Sequence, residues 1–200
     1  PVNKGSYLRT IQFSWADEKA AVVALREQGG VDAFKPSTQS AIDILRVLLD
    51  RDDVQIQGSF FAADLPWLAA EGLDIVHRYV VPPDVDAVRG GDYAGGFDVG
   101  LGLHSVSETD MFRLEMMASR YCGAARWDIR LRDWWHEFCK TIGEDNEDDA
   151  EGYGECPGEI LYWYGGCDAI YTRKLGDVLP AMLDSDKHGN DSWQPFTISM

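Results

Sequence analysis

No apolar run in this chain approaches the roughly 18 residues that a membrane-crossing helix needs. Its first residues, Pro1, Val2, Asn3 and Lys4, have neither the basic start nor the apolar stretch of a secretory leader. A soluble chain in a cytoplasmic setting, with no membrane partner, is the expectation. Cysteine is scarce: Cys122, Cys139, Cys156 and Cys167 are separated by sixteen, sixteen and ten residues, a spacing of neither zinc ligands nor a redox pair. Four reduced, packed thiols are expected. Positive charge is scarce too. Eighteen Lys and Arg face 34 Asp and Glu, for a net charge of −16, the wrong sign for a protein that grips duplex DNA by displacing phosphate counterions. The deficit does not exclude a nuclease. Seven of the acids (Glu144, Asp145, Glu147, Asp148, Asp149, Glu151, Glu155) form one base-free stretch that reads as a solvated loop. A metal-dependent site also needs acids, because the cations they hold attract phosphate.

Two hundred residues, 45% apolar, suffice for one full core. Residues 7–15 alternate, and after Ala16-Asp17-Glu18 comes a second apolar run, AAVVAL, so a β-hairpin at a sheet edge is predicted. Ser37 or Thr38 is placed to cap a helix with apolar positions Ile42, Leu45, Leu48 and Leu49. Val54 to Ser59 reads as a short strand running into a helix that has Pro66 near its start and Gly72 at its end. Val80 to Gly96, rich in Pro, Gly and Asp, reads as a loop. FDVGLGLHSV is a buried helical or extended segment, and a helix opened by Glu108-Thr109-Asp110 is closed by Gly123. A tryptophan-rich helix from Asp128 to Thr141 precedes the acidic loop, and residues 159–183 form one long helix or two joined ones. Strands early and helices late give an α/β fold.

The most informative local feature is YWYGGCDAIYTRKL, where Tyr164 and Asp168, four residues apart, share one face of a helix. A carboxylate that holds a divalent cation and a hydroxyl that orients water suit phosphodiester hydrolysis. Taken alone, the pair reads first as a core aromatic beside a solvated acid. Asp64 follows the strand VQIQGS and lies in the first helical turn, where free backbone donors favour a carboxylate. Alone, it is an ordinary helix-start acid. His77, His104, His136 and His188 have no ligand-like spacing, Trp127, Trp134, Trp135 and Trp163 read as packing, and Asp98 reads first as structural, with a place near the site as the second reading.

Order and context change the balance. GSFFAADLPWLAAEGLDI, FDVGLGLHSVSETDMFRLEMMASRYCG and YGGCDAIYTRKL together resemble the exonuclease domains of family A DNA polymerases, phage-like, within the DEDD superfamily. The likeness spans roughly residues 54–183. It implies a ribonuclease-H-like mixed sheet flanked by helices, with the exonuclease domain over 1–184 and a linker or the start of a polymerase region over 185–200. Asp64 takes the metal-ligand position of the second motif; Tyr164 and Asp168 take the water-orienting and metal-ligand positions of the third. Two Mg²⁺ or Mn²⁺ ions, a single-stranded DNA 3′ end held on Phe60 or Phe61, release of 5′-mononucleotides in proofreading, and a covalently linked polymerase region are implied. Phe60 stands where the family has Asn, and Ala63 where it has an aromatic. The first motif, Asp-x-Glu on the central strand, has no match in residues 1–53, so a chain truncated before that strand, inactive as a fragment, is expected. The alternative is a catalytically inactive exonuclease-like domain acting as a scaffold or nucleic-acid-binding module.

Overall fold

The computed structural model describes residues 7–33, 37–51, 53–54, 56–75, 96–107, 113–144 and 152–185. The predicted loop over 80–96, apart from its last residue, the helix opening at 108–110, most of the acidic stretch and the last fifteen residues lie outside them.

The alternation at the start makes a hairpin, β1 (Thr10–Ala16) and β2 (Lys19–Ala24), antiparallel with Ile11 opposite Val23 and Phe13 opposite Ala21. Its tight turn places Glu18 at φ 57°, a left-handed conformation. Helix α1 (Thr38–Leu49) buries Ala41, Ile42, Leu45 and Leu49. The Ser37 side chain makes no capping bond; instead the Thr38 hydroxyl donates to the Leu25 carbonyl at 2.8 Å and meets Asp32, tying α1 to the end of β2. Leu48, expected in the core, is exposed, as are Ile44 and Val47. The helix has two apolar stripes, and periodicity alone does not say which one is covered.

Strand β3 is shorter than predicted, Ile56–Gly58, and α2 (Leu65–Ala70) follows one 3-10 turn later, with Pro66 in its first turn and Gly72 beyond its end at φ 79°. Strand β4 (Gly96–Asp98) pairs with β3 in parallel, Gly58 opposite Asp98. The chain then turns at once into α3 (Val99–Val106). Next come α4 (Leu114–Cys122), stopped by Gly123 in the left-handed region, and α5 (Ile129–Ile142). Last is α6 (Gly158–Ser185), one continuous helix that carries Pro180 within it. Among the described residues there is no disulfide, and none of the helices is long and apolar enough to cross a membrane.

The architecture is a mixed α/β fold; among the described residues the strands form two two-stranded sheets, one antiparallel and one parallel. Helix α6 joins them. It packs against β1 and β2 near Gly165 and Gly166, and against β3 near Gly176, where Gln57 approaches. Arg173 and Lys174 of α6 pair with Asp17 and Glu18 in the hairpin turn. Two apolar cores result. One gathers Ile11 and Leu25 with α1, Leu68, Leu73 and Ile75; the other gathers Val99 and Leu103 of α3 and Met117 of α4 with Trp127, Leu175, Leu179 and Leu183. Burial of the second set, in which Leu175, Leu179 and Leu183 each contribute roughly 1.5–3 kcal/mol, holds α6 and hence the groups it carries.

Candidate functional site

Tyr164 and Asp168 project from the same face of α6, the phenol beside the carboxylate and interacting with it. A donor comes from far away in sequence. The indole Nε1–H of Trp127, in the segment between α4 and α5, donates to Asp168 Oδ1 at 2.8 Å. Trp127 is buried and its ring stacks on Tyr171, with centroids 4.5 Å apart and planes at 16°. The backbone around it is held by its own neighbours: Arg126 donates from Nε to Asp128 Oδ1 at 2.6 Å, and a second guanidinium nitrogen reaches Oδ2 of the same carboxylate. Arg126 beside it holds the Asp128 carboxyl below the usual range.

Burial shapes the electrostatics of the pair. Loss of water pushes the Asp168 carboxyl up to about 7, reinforced by the negative charges of Glu115 and Asp128 and opposed by the two hydrogen bonds from Trp127 and Tyr164. The Tyr164 phenol is raised for the same first reason, then by the charge of Asp168 and the bond it donates to it. The tyrosine therefore stays a neutral hydroxyl, able to donate to or orient a water but not to act as a phenolate. A cation placed at Asp168 would hold the carboxylate ionised against this desolvation.

Asp64 is carried by a different element. It occupies the junction of the 3-10 turn and α2, where its carbonyl accepts from Trp67 and Leu68 while its side chain makes no capping bond. Asp64 as a whole residue is exposed, yet desolvation by the surrounding protein raises its carboxyl, and the charge of Asp98 raises it further. Asp98 is the organising group here. Its buried carboxylate accepts four backbone N–H groups: Phe60, Gly100 and Leu101 on Oδ1, at 2.9, 2.9 and 3.1 Å, and Phe61 on Oδ2 at 2.8 Å. One side chain thus caps α3 and fixes the loop leading to Asp64.

Phe60, at φ 52° and exposed, and Phe61, half-buried against the hairpin core, are seated by two missing side chains. A Cβ at Gly58 would come within 2.5 Å of Phe61, and one at Gly100 within 2.8 Å of the Phe60 ring.

The structure thus brings Tyr164 and Asp168 together, and Asp64 together with Phe60, Phe61 and Asp98, but no hydrogen bond or electrostatic contact links Asp64 with Asp168. Gln57 of β3 meets α6 at Gly176, eight residues and about 12 Å past Asp168 along the helix. Among the described residues, no three Asp, Glu, His or Cys side chains converge closely enough to hold a metal ion. Aspartate oxygens are the hard donors that Mg²⁺ and Mn²⁺ take, so Asp64 and Asp168 each suit such an ion singly.

Sequence reasoning missed Trp127, Glu115 and Asp128 as members of the Asp168 surroundings. Trp127 read as packing, which it also is; nothing local marks a hydrogen bond across 41 residues. Trp163, grouped with it as packing, is 57% exposed, because it lies on the outer side of α6. Comparison with protein families, curated proteins and solved structures gave no match to the chain.

Proposed function

We propose that the chain is the 3′-to-5′ exonuclease domain of a DNA polymerase, of ribonuclease-H-like fold, removing 3′-terminal nucleotides from single-stranded DNA. The observation that carries this reading is the Tyr164–Asp168 pair: a phenol beside a desolvated carboxylate on one face of the helix that packs against the strands of both sheets. Three further features support it. Asp64 follows a strand end by a single turn, β4 runs parallel to β3, and the third motif lies on the last described helix. The resemblance also places a further strand in the middle of the sheet. Among the described residues each strand has one partner only, which leaves edges available to such a strand.

In this reading Asp64 and Asp168 are two of the carboxylates that hold a pair of Mg²⁺ or Mn²⁺ ions. Bound ions would polarise the attacking water and stabilise the departing 3′ oxygen. The residues of this chain do the rest. Tyr164 offers a hydroxyl that aligns the water without itself ionising, Asp168 anchors that hydroxyl, and Phe60 presents an exposed ring for a terminal base to stack on.

The second reading, an exonuclease-like module without catalysis, is favoured by the separate surroundings of Asp64 and Asp168. The two are distinguished by incubating the full-length protein with a 5′-labelled single-stranded oligonucleotide and Mg²⁺. Stepwise shortening with release of 5′-mononucleotides, abolished in Asp168→Asn and reduced at least about tenfold in Tyr164→Phe, supports the exonuclease. Retained DNA binding with no shortening establishes the silent module.

A further inference from the structure

We infer that an arginine surface on α4 and at the α4–α5 junction, formed by Arg113, Arg120, Arg126 and Arg132, binds the phosphates of a single-stranded DNA whose 3′ end reaches the Tyr164–Asp168 pair. The inference rests on the proposed nucleic-acid substrate and goes beyond it by giving the strand a path over the protein. The contact itself needs no metal ion.

Three observations carry it. The first is charge. Residues 113–132 hold five arginines, the four above and Arg130, against two acids, Glu115 and Asp128, a local net charge of +3 in a chain of −16. All five arginines are exposed. A guanidinium presents a planar fork of donors that matches two phosphate oxygens, and a polyanion repelled by most of an acidic surface settles where the sign is reversed. The second is the way the groups are held. Asp128, a buried carboxylate, takes Nε and Nη2 of Arg126 and lies 3.9 Å from a guanidinium nitrogen of Arg132, so one acid gathers two cations. Arg126 Nη1 donates to none of the described residues, which leaves it for a ligand oxygen. Arg113, at the N-cap of α4, and Arg120, two turns on, lie along one side of that helix. The third is position. Trp127, the residue between Arg126 and Asp128, donates its indole N–H to Asp168 at 2.8 Å. The charge of Glu115 on α4 acts on Arg126 and on Asp168 alike, so α4 stands beside both.

The alternative is that these arginines only offset neighbouring acids and solvate α4 and α5. Binding of a fluorescently labelled oligothymidylate to the full-length protein separates the two, read by anisotropy between about 50 and 200 mM salt with chelator present to stop hydrolysis. The variants are Arg113→Gln/Arg132→Gln, on the surface, and Lys19→Gln/Arg51→Gln, which removes two exposed charges from the hairpin and from the end of α1. For the wild type, log affinity should fall with log salt at a slope near −3, about −0.7 for each of four phosphates held. The surface pair should weaken binding at least about tenfold and flatten the slope by about 1.4, and the control pair should leave the slope unchanged. No binding by the wild type at the lowest salt, a wild-type slope in the surface pair, or equal losses in the control pair overturns the path. Polyglutamate that binds more tightly than the oligonucleotide overturns it too, and assigns the arginines to an acidic protein. With Mg²⁺ restored, shortening at the wild-type rate by a surface pair of unchanged slope leaves the exonuclease standing without this path. Salt-dependent binding that the surface pair loses, in a wild type that shortens nothing, supports the path and overturns the exonuclease.

Discussion

The Asp98 carboxylate accepts the backbone N–H of Phe61 at 2.8 Å, across 37 residues of sequence, while also capping the helix that follows it. This single acid ties the exit of β3 to the start of α3, which explains why Phe60 and Phe61 hold defined positions beside Asp64. Asp98→Ala would strand four backbone donors in a buried setting. A loss of about 3 kcal/mol or more in urea unfolding is expected, with Asp98→Asn intermediate, because an amide retains one acceptor oxygen. A change under about 0.5 kcal/mol would show that the loop holds its shape without this bond.

Gly58→Ala tests the seating of Phe61. An added methyl would meet the Phe61 side chain at 2.5 Å, so the ring must leave its place against the hairpin core. Overpacking of this kind costs about 1–3 kcal/mol, and the paired variant Gly58→Ala/Phe61→Ala should recover part of the strain. Equal stability of Gly58→Ala and the wild type in thermal unfolding would contradict the packing.

The raised carboxyl of Asp168 gives a pH signature in metal-free protein. Its folded value, about 7, lies above the unfolded value, so the folded state prefers the protonated form. That contribution to stability is fully present below the unfolded carboxylate range and is lost as pH rises through about 7. Asp168→Asn removes the titration. The stability of the variant minus that of the wild type should therefore grow more positive from pH 4 to pH 8, measured by denaturant unfolding with chelator present. A flat difference would mean that Asp168 is solvated.

Asp128 should behave oppositely. Arg126 lowers its carboxyl in the folded state, so its contribution is present above the unfolded carboxylate range and is lost as pH falls through the lower, folded value. Arg126→Ala is expected to flatten the acid side of the stability profile with little effect near neutrality on helix content by circular dichroism. An unchanged acid limb would show that the pair is too solvated to matter.

Local patterns made much of this legible. The alternation of residues 7–15 specified the hairpin, Pro66 and Gly72 bracketed α2, and the four-residue spacing placed Tyr164 and Asp168 on one face. Side-chain partners that depend on tertiary packing were not legible: Trp127 to Asp168, Arg9 to the carbonyls of Gly154 and Cys156, and the exposed stripe of Ile44, Val47 and Leu48. Helical period fixes which residues share a face. It does not say what that face meets. The pairing of the described strands as two sheets under α6 was likewise not legible, since no local signal tells a strand how many partners it will have.

In the proposed exonuclease Asp64 and Asp168 serve one hydrolytic site, although no hydrogen bond or electrostatic contact links them in the structure. Exonuclease rates of Asp64→Asn, Asp168→Asn and the double variant, each in the full-length protein with Mg²⁺ and a single-stranded substrate, test it most directly. Acting as a unit, either single change should lower the rate by about a thousandfold or more, and the double variant should be no slower than the slower single. Wild-type activity in Asp64→Asn, with Asp168→Asn inactive, would contradict the account and leave Asp64 as the acid at the start of α2.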